Sequence, residues 1–106
     1  MIVFDFSEFI KNEYSCNQAL ENDEGELIGH CKLFIREVNG SKQLHATFTP
    51  AGEDFDGTKH PLVWRKLPAD APLTKDYLVD IVSDIGAELS LFVQGRRRVF
   101  DWRNNL

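Results

Sequence analysis

No run of apolar residues in this 106-residue chain approaches the roughly 20 that a bilayer requires, so no membrane-spanning helix is expected. The opening "MIVFDFSEFIKNEY" lacks a basic leader and a small-residue cleavage site. It also carries Asp5 and Glu8 inside its apolar stretch, which argues against a secretory signal. The expectation is a soluble, intracellular, cytoplasmic protein. Cysteine is scarce, with only Cys16 and Cys31 present. Without an export signal these read as reduced thiols acting as small apolar residues, and redox chemistry gains no support.

Metal-ligand spacing is also missing. The candidate ligands Cys16, His30, Cys31, His45 and His60 form no CxxC, HxxxH or HxH pair that would aim two side chains at one ion. "GEDFDGTKHPLV" has Asp54, Asp56 and Gly57 in the relative order of an EF-hand. Aligning Gly57 with that loop's glycine, however, places Gly52 where the first acidic ligand belongs and Val63 where the bidentate glutamate belongs. "ENDEGE" fails in the same way, since Gly25 puts Leu20 first. "VNGSK" lacks the spacing of a phosphate-binding P-loop, and no internal repeat or low-complexity tract is found. No metal, no cofactor and no catalytic residue is assigned from these patterns.

What is present is an ordinary globular composition. The apolar fraction is 42%, with eight Phe, two Trp and two Tyr to fill an interior, which sets intrinsic disorder aside. A chain of this length buries roughly two-thirds of its unfolded surface around one core, so residues 1–106 are expected to form a single domain.

The charge is unevenly placed. Residues 1–30 hold Asp5, Glu8, Glu13, Glu21, Asp23, Glu24 and Glu26 against Lys11 alone. Residues 96–106 hold Arg96, Arg97, Arg98 and Arg103 against Asp101 alone, within a net charge of −5. An acidic beginning and a basic end would steer partners differently.

Along the chain, "IVFDF" is β-branched and aromatic and predicts a first strand. Ser7 is placed to cap a short helix over about 8–15, with Phe9, Ile10 and Tyr14 on one face. The polar "NQALENDEGE" leads through a turn at Gly25 into "ELIGHCKLFIREV". There Cys31, Leu33 and Ile35 alternate with His30, Lys32 and Phe34, the period of a half-buried strand.

Asn39-Gly40 is a strong hairpin signal, because both residues accept the positive φ of a type I′ turn. The return strand "QLHATFT" sets Leu44, Ala46 and Phe48 against His45, Thr47 and Thr49. "PAGEDFDGTKHP" is loop by composition, and "LVWRKL" a further strand. Thr74 caps a helix whose stripe is Tyr77, Leu78, Ile81, Val82 and Ile85. Gly86 reads as its terminator. "LSLFVQ", "GR" and "RRVFDW" then predict a last hairpin with Gly95 opening a type II′ turn, the competing reading being a continued helix.

The fold class that follows is α+β: an antiparallel sheet of about five strands built from hairpins, packed by one or two helices. Cys31 and His45 lie on neighbouring strands, but on opposite faces, as a core thiol and a solvent-side histidine. An enzyme using a cysteine or histidine therefore ranks last.

"GRRRVFDWRN" offers guanidinium groups for phosphates and aromatics for bases. On a strand, however, its charges split between two faces, and a net −5 opposes a polyanion. A nucleic-acid-associated regulator using this cluster is thus the second expectation. The first is a non-catalytic protein-binding domain, a small acidic inhibitor, immunity-type or adaptor protein that neutralises a larger partner by occupying its surface, with a nucleic-acid-binding enzyme or toxin as one such partner. The residues assigned to contact it are Arg96, Arg97, Arg98, Trp102 and Trp64, together with the acidic Glu21, Asp23 and Glu24.

Overall fold

A computed structural model describes residues 2–95. Four strands, β1 (Ser15–Glu21), β2 (Leu27–Val38), β3 (Ser41–Pro50) and β4 (Leu62–Lys66), form one antiparallel sheet in the order β1-β2-β3-β4. Two helices, α1 (Phe6–Lys11) and α2 (Lys75–Val93), complete the α+β architecture. Asn39 and Gly40 have φ of 51° and 77°, as a type I′ turn requires, and they pair Val38 directly with Ser41. That two-residue turn fixes the register of the whole β2–β3 pair.

Period-2 alternation then sorts the side chains onto two faces. Cys16, Cys31, Leu33, Leu44, Ala46, Phe48 and Val63 turn to one side and are buried with Leu78, Val82, Ile85 and Leu89 of α2. Each such fully buried aliphatic side chain stabilises the fold by about 1.5–3 kcal/mol. Thr74 caps α2, its hydroxyl accepting the Tyr77 amide, so the helix starts where its cap allows. Arg65 at the sheet edge binds Asp84 at 3.0 Å and also Glu88, tying β4 to α2.

Several expectations are corrected. Among the described residues the sheet has four strands, because residues 2–5 pair with no strand. Instead the segment runs between β1 and α2 and takes its hydrogen bonds from side chains. Gln18 Nε2 donates to the Val3 carbonyl at 2.8 Å, the Asp5 amide donates to Gln18 Oε1 at 3.1 Å, and the Ile2 amide donates to Ser90 Oγ at 2.6 Å. Ile2 and Phe4 thereby reach the core. Asp5, not Ser7, caps α1. That helix ends at Lys11, because Glu13 and Tyr14 both take a left-handed backbone (φ 56° and 66°) that turns the chain into β1. β1 itself occupies residues assigned to a polar approach to β2.

Gly86 does not end α2, which continues through Leu89 and Ser90 to Val93 in place of the expected strand. Here glycine serves a close approach: a Cβ at position 86 would lie 2.5 Å from the Ile2 carbonyl oxygen. The second half of the expected last hairpin lies outside the described residues.

Candidate binding site on the open face of the sheet

Among the described residues, no helix covers the other side of the sheet. From the register, β1 contributes Ser15, Asn17 and Ala19 to it, and β2 contributes His30, Lys32, Phe34 and Arg36. β3 contributes Gln43, His45, Thr47 and Thr49, and β4 contributes Leu62, Trp64 and Lys66. These positions include three permanent cations and no carboxylate. The acidic chain thus presents a locally basic surface.

Three rings cross the middle of this face. Phe34 is paired with His45, and His45 with Trp64, so the three side chains stand side by side on adjacent strands. Ring centroids are 5.2 Å apart for Phe34 and His45 and 6.3 Å for His45 and Trp64, with planes 22° apart in both pairs. Lys32 Nζ sits 5.1 Å from the Phe34 centroid and closes one end of the rib by a cation–π contact. Trp64 forms the other end and is 45% exposed.

His45 is therefore not on the solvent side as expected. It faces away from the apolar core but is buried within the rib. Its Nε2 donates to Gln43 Oε1 at 2.9 Å, since a carbonyl oxygen can only accept. Burial, and then the Arg36 charge, hold its pKa below the ordinary 6.5.

The loop between β3 and β4 stands beside the rib as a wall. His60 organises it: the Asp56 amide donates to His60 Nδ1 at 2.9 Å, and His60 Nε2 donates to Glu53 Oε1 at 3.3 Å. Asp56 Oδ1 accepts both the amide and the hydroxyl of Thr58, and these bonds lower the Asp56 pKa. Phe55 stands at the rim, 44% exposed, with its ring 6.0 Å from that of His60. Between wall and sheet lies a cavity of about 810 Å³. Its floor includes Lys32, Phe34, Thr47 and Thr49, and its wall includes Asp54 and Lys59. All three histidines of the chain line it.

The groups that line the cavity can donate and accept hydrogen bonds, pair with charges and stack. Both thiols point to the opposite, apolar side, where burial pushes Cys31 up to about 11 and also raises Cys16, so both are protonated at neutral pH. Both ring nitrogens of His60 and the Nε2 of His45 are committed to hydrogen bonds that hold the fold. Among the described residues, no group of three His, Cys, Asp or Glu side chains is placed to hold a metal, and no helix is long and apolar enough to cross a membrane.

Of the residues assigned from sequence, Trp64 lies on this face. Glu21, Asp23 and Glu24 lie at the β1–β2 turn, on the opposite edge of the sheet, and are exposed. The structure does not bring the two groups together. Arg96, Arg97, Arg98 and Trp102 fall outside the described residues. Sequence reasoning missed Lys32, Phe34, Arg36, Phe55 and Lys59. Counting outwards from the Asn39-Gly40 turn would have placed Phe34 opposite His45, whereas nothing local marks the loop residues as neighbours of the sheet. No protein-family model, curated protein or solved structure matches this chain.

Proposed function

We propose that this chain is a non-catalytic binding domain, an inhibitor, immunity-type or adaptor protein, that regulates a larger protein by laying the Trp64 end of its open sheet face against it. The observation that carries this reading is a half-exposed tryptophan at the end of an ordered ring stack, with Arg36 and Lys66 on the same face of the sheet. Large rigid aromatics flanked by arginine are the groups that anchor protein interfaces, because they bury much area at little cost in side-chain entropy. Their surroundings set the partner's chemistry: an apolar recess for the indole, rimmed by carboxylates for the cations.

Glu21, Asp23 and Glu24 offer a second and oppositely charged contact. A basic partner, such as a nucleic-acid-binding enzyme or toxin, would meet them at the far edge of the sheet. The nucleic-acid alternative through Arg96, Arg97 and Arg98 rests on residues beyond those described, and it gains nothing from the geometry.

The test is capture from the host's lysate with and without nuclease, followed by titration of the purified partner. A single stoichiometric protein should survive nuclease, and Trp64→Ala should weaken its binding at least roughly tenfold while the domain stays folded. Loss of every partner on nuclease treatment, or unchanged affinity of the Trp64→Ala protein, would overturn the proposal.

A further inference from the structure

The cavity beside the rib does not include Trp64, and it offers a different chemistry from an interface. We propose that it binds a nucleotide, either free or as one unit of a single strand. The phosphate would reach Lys32, Arg36 and Lys59, and the base would stack on Phe55. The inference rests on none of Arg96, Arg97 and Arg98, which lie outside the described residues, and it does not depend on a protein partner.

Four observations support this assignment. First, about 810 Å³ lies within the roughly 300 to 1,000 Å³ of small-molecule sites. Second, Lys32, Arg36 and Lys59 line the cavity and make no ion pair among the described residues, the charge of Lys59 acting on Asp56 from beyond contact. Third, the ring of Phe55 stands half-exposed on the rim, where a planar base has an aromatic face to meet. Fourth, the wall's acids are unequal. Glu53 is held by His60 and Asp56 by Thr58, which leaves Asp54 to accept the N–H groups of a base.

Other ligand classes fit these groups less well. A neutral sugar would leave Lys32 and Arg36 unanswered, and a simple oxyanion would leave the Phe55 ring unused. A divalent metal finds no ligand cluster among the described residues. An extended polyanion would bring many phosphates toward an acidic molecule of net −5, so the basin suits one phosphate or a few.

The experiment is isothermal titration of the full-length chain with the common nucleoside 5′-monophosphates, with adenosine and ribose 5-phosphate as part-ligands. At least one nucleotide should saturate with a Kd below about 1 mM, and both part-ligands should bind roughly tenfold more weakly or worse. Lys32→Ala and Phe55→Ala, both exposed positions, should each weaken binding about tenfold. Lys11→Ala on α1 should leave it unchanged.

As a second readout, ¹H–¹⁵N resonances of Thr47, Thr49 and residues 53–60 should move on titration, while those of α2 stay still. Failure of every nucleotide to saturate would overturn the proposal. So would ribose 5-phosphate binding as well as the nucleotides, or resonance changes confined to other elements. Hexathymidylate distinguishes the source: tighter binding than thymidine 5′-monophosphate, with a steeper salt dependence, assigns a single strand, and equal binding assigns the free nucleotide. Trp64→Ala should spare nucleotide binding, so this result and partner capture can fail independently.

Discussion

The two faces of the sheet are built from the same strands and do opposite work. On the closed face, Leu33, Leu44, Ala46 and Val63 alternate out of β2, β3 and β4 into a dry contact with α2. On the open face, one residue further along each strand, Lys32, Phe34, His45, Thr47 and Trp64 form a surface that is polar, ringed and largely uncovered. The closed face satisfies itself, its apolar groups finding one another and its thiols inert. The open face and the loop beside it keep groups that the fold itself does not need: cations that make no ion pair among the described residues and two half-exposed rings, Trp64 and Phe55. Stability and the proposed recognition are thus separated by the pleat of the backbone.

If that separation holds, Leu33→Ala should cost about 3 kcal/mol in urea unfolding, because a fully buried side chain leaves a cavity between sheet and helix. A loss below about 1 kcal/mol would mean that the two faces are not so different. Gly86→Ala comes next. Its methyl would meet the Ile2 carbonyl oxygen at 2.5 Å, so the strain should outweigh the usual gain in helix propensity and leave a net loss of about 1–2 kcal/mol. The same unfolding assay checks it.

Trp64→Ala, on the open face, should lose only about 1 kcal/mol of stability through the missing cross-strand ring contact. Its larger effect should be on partner capture.

The buried imidazole of the rib gives a finer test through pH. Folded His45 has a pKa below 6.5, whereas the unfolded chain titrates near that value. Between the two values the unfolded state binds more protons, so stability falls as pH drops below about 6.5 and is unaffected above it. Urea midpoints measured at pH 7.5 and pH 5 should lie closer together in His45→Gln than in the parent. The smallest effect belongs to the edge ion pairs. Arg65→Ala should cost about 0.5–1 kcal/mol, since these side chains are substantially solvated.

How much of this the sequence revealed depended on how local each cause was. The β2–β3 hairpin was legible because Asn39 and Gly40 carry their own turn chemistry, and α2 was legible at Thr74 because a cap acts within one turn. β1 was missed because an edge strand with one open face needs few apolar residues, so Cys16, Gln18 and Leu20 made a weak pattern. The N-terminal segment looked like a strand because Ile2 and Phe4 are buried, yet its partners are the side chains of Gln18 and Ser90. Gly86 looked like a stop because glycine's role in a close approach depends on residues more than eighty positions away in sequence. For the site the same rule applies. The face alternation was visible, but the basin arises only when the loop carrying Phe55 and Lys59 stands beside a sheet that the sequence does not connect it to.

The bond from the Ile2 amide to Ser90 Oγ joins residues 88 positions apart, whereas the meander grows through short turns between neighbouring strands. Contacts of such different span do not form together, because closing a long loop costs entropy before any contact repays it. The expected order of assembly is hairpins first, α2 onto the sheet next, and residues 2–5 last, closing over Gly86 as a latch. In native-state hydrogen exchange, the Ile2 and Asp5 amides should therefore exchange before those of β2 and β3, with Gly86 marking the seam where the fold opens first.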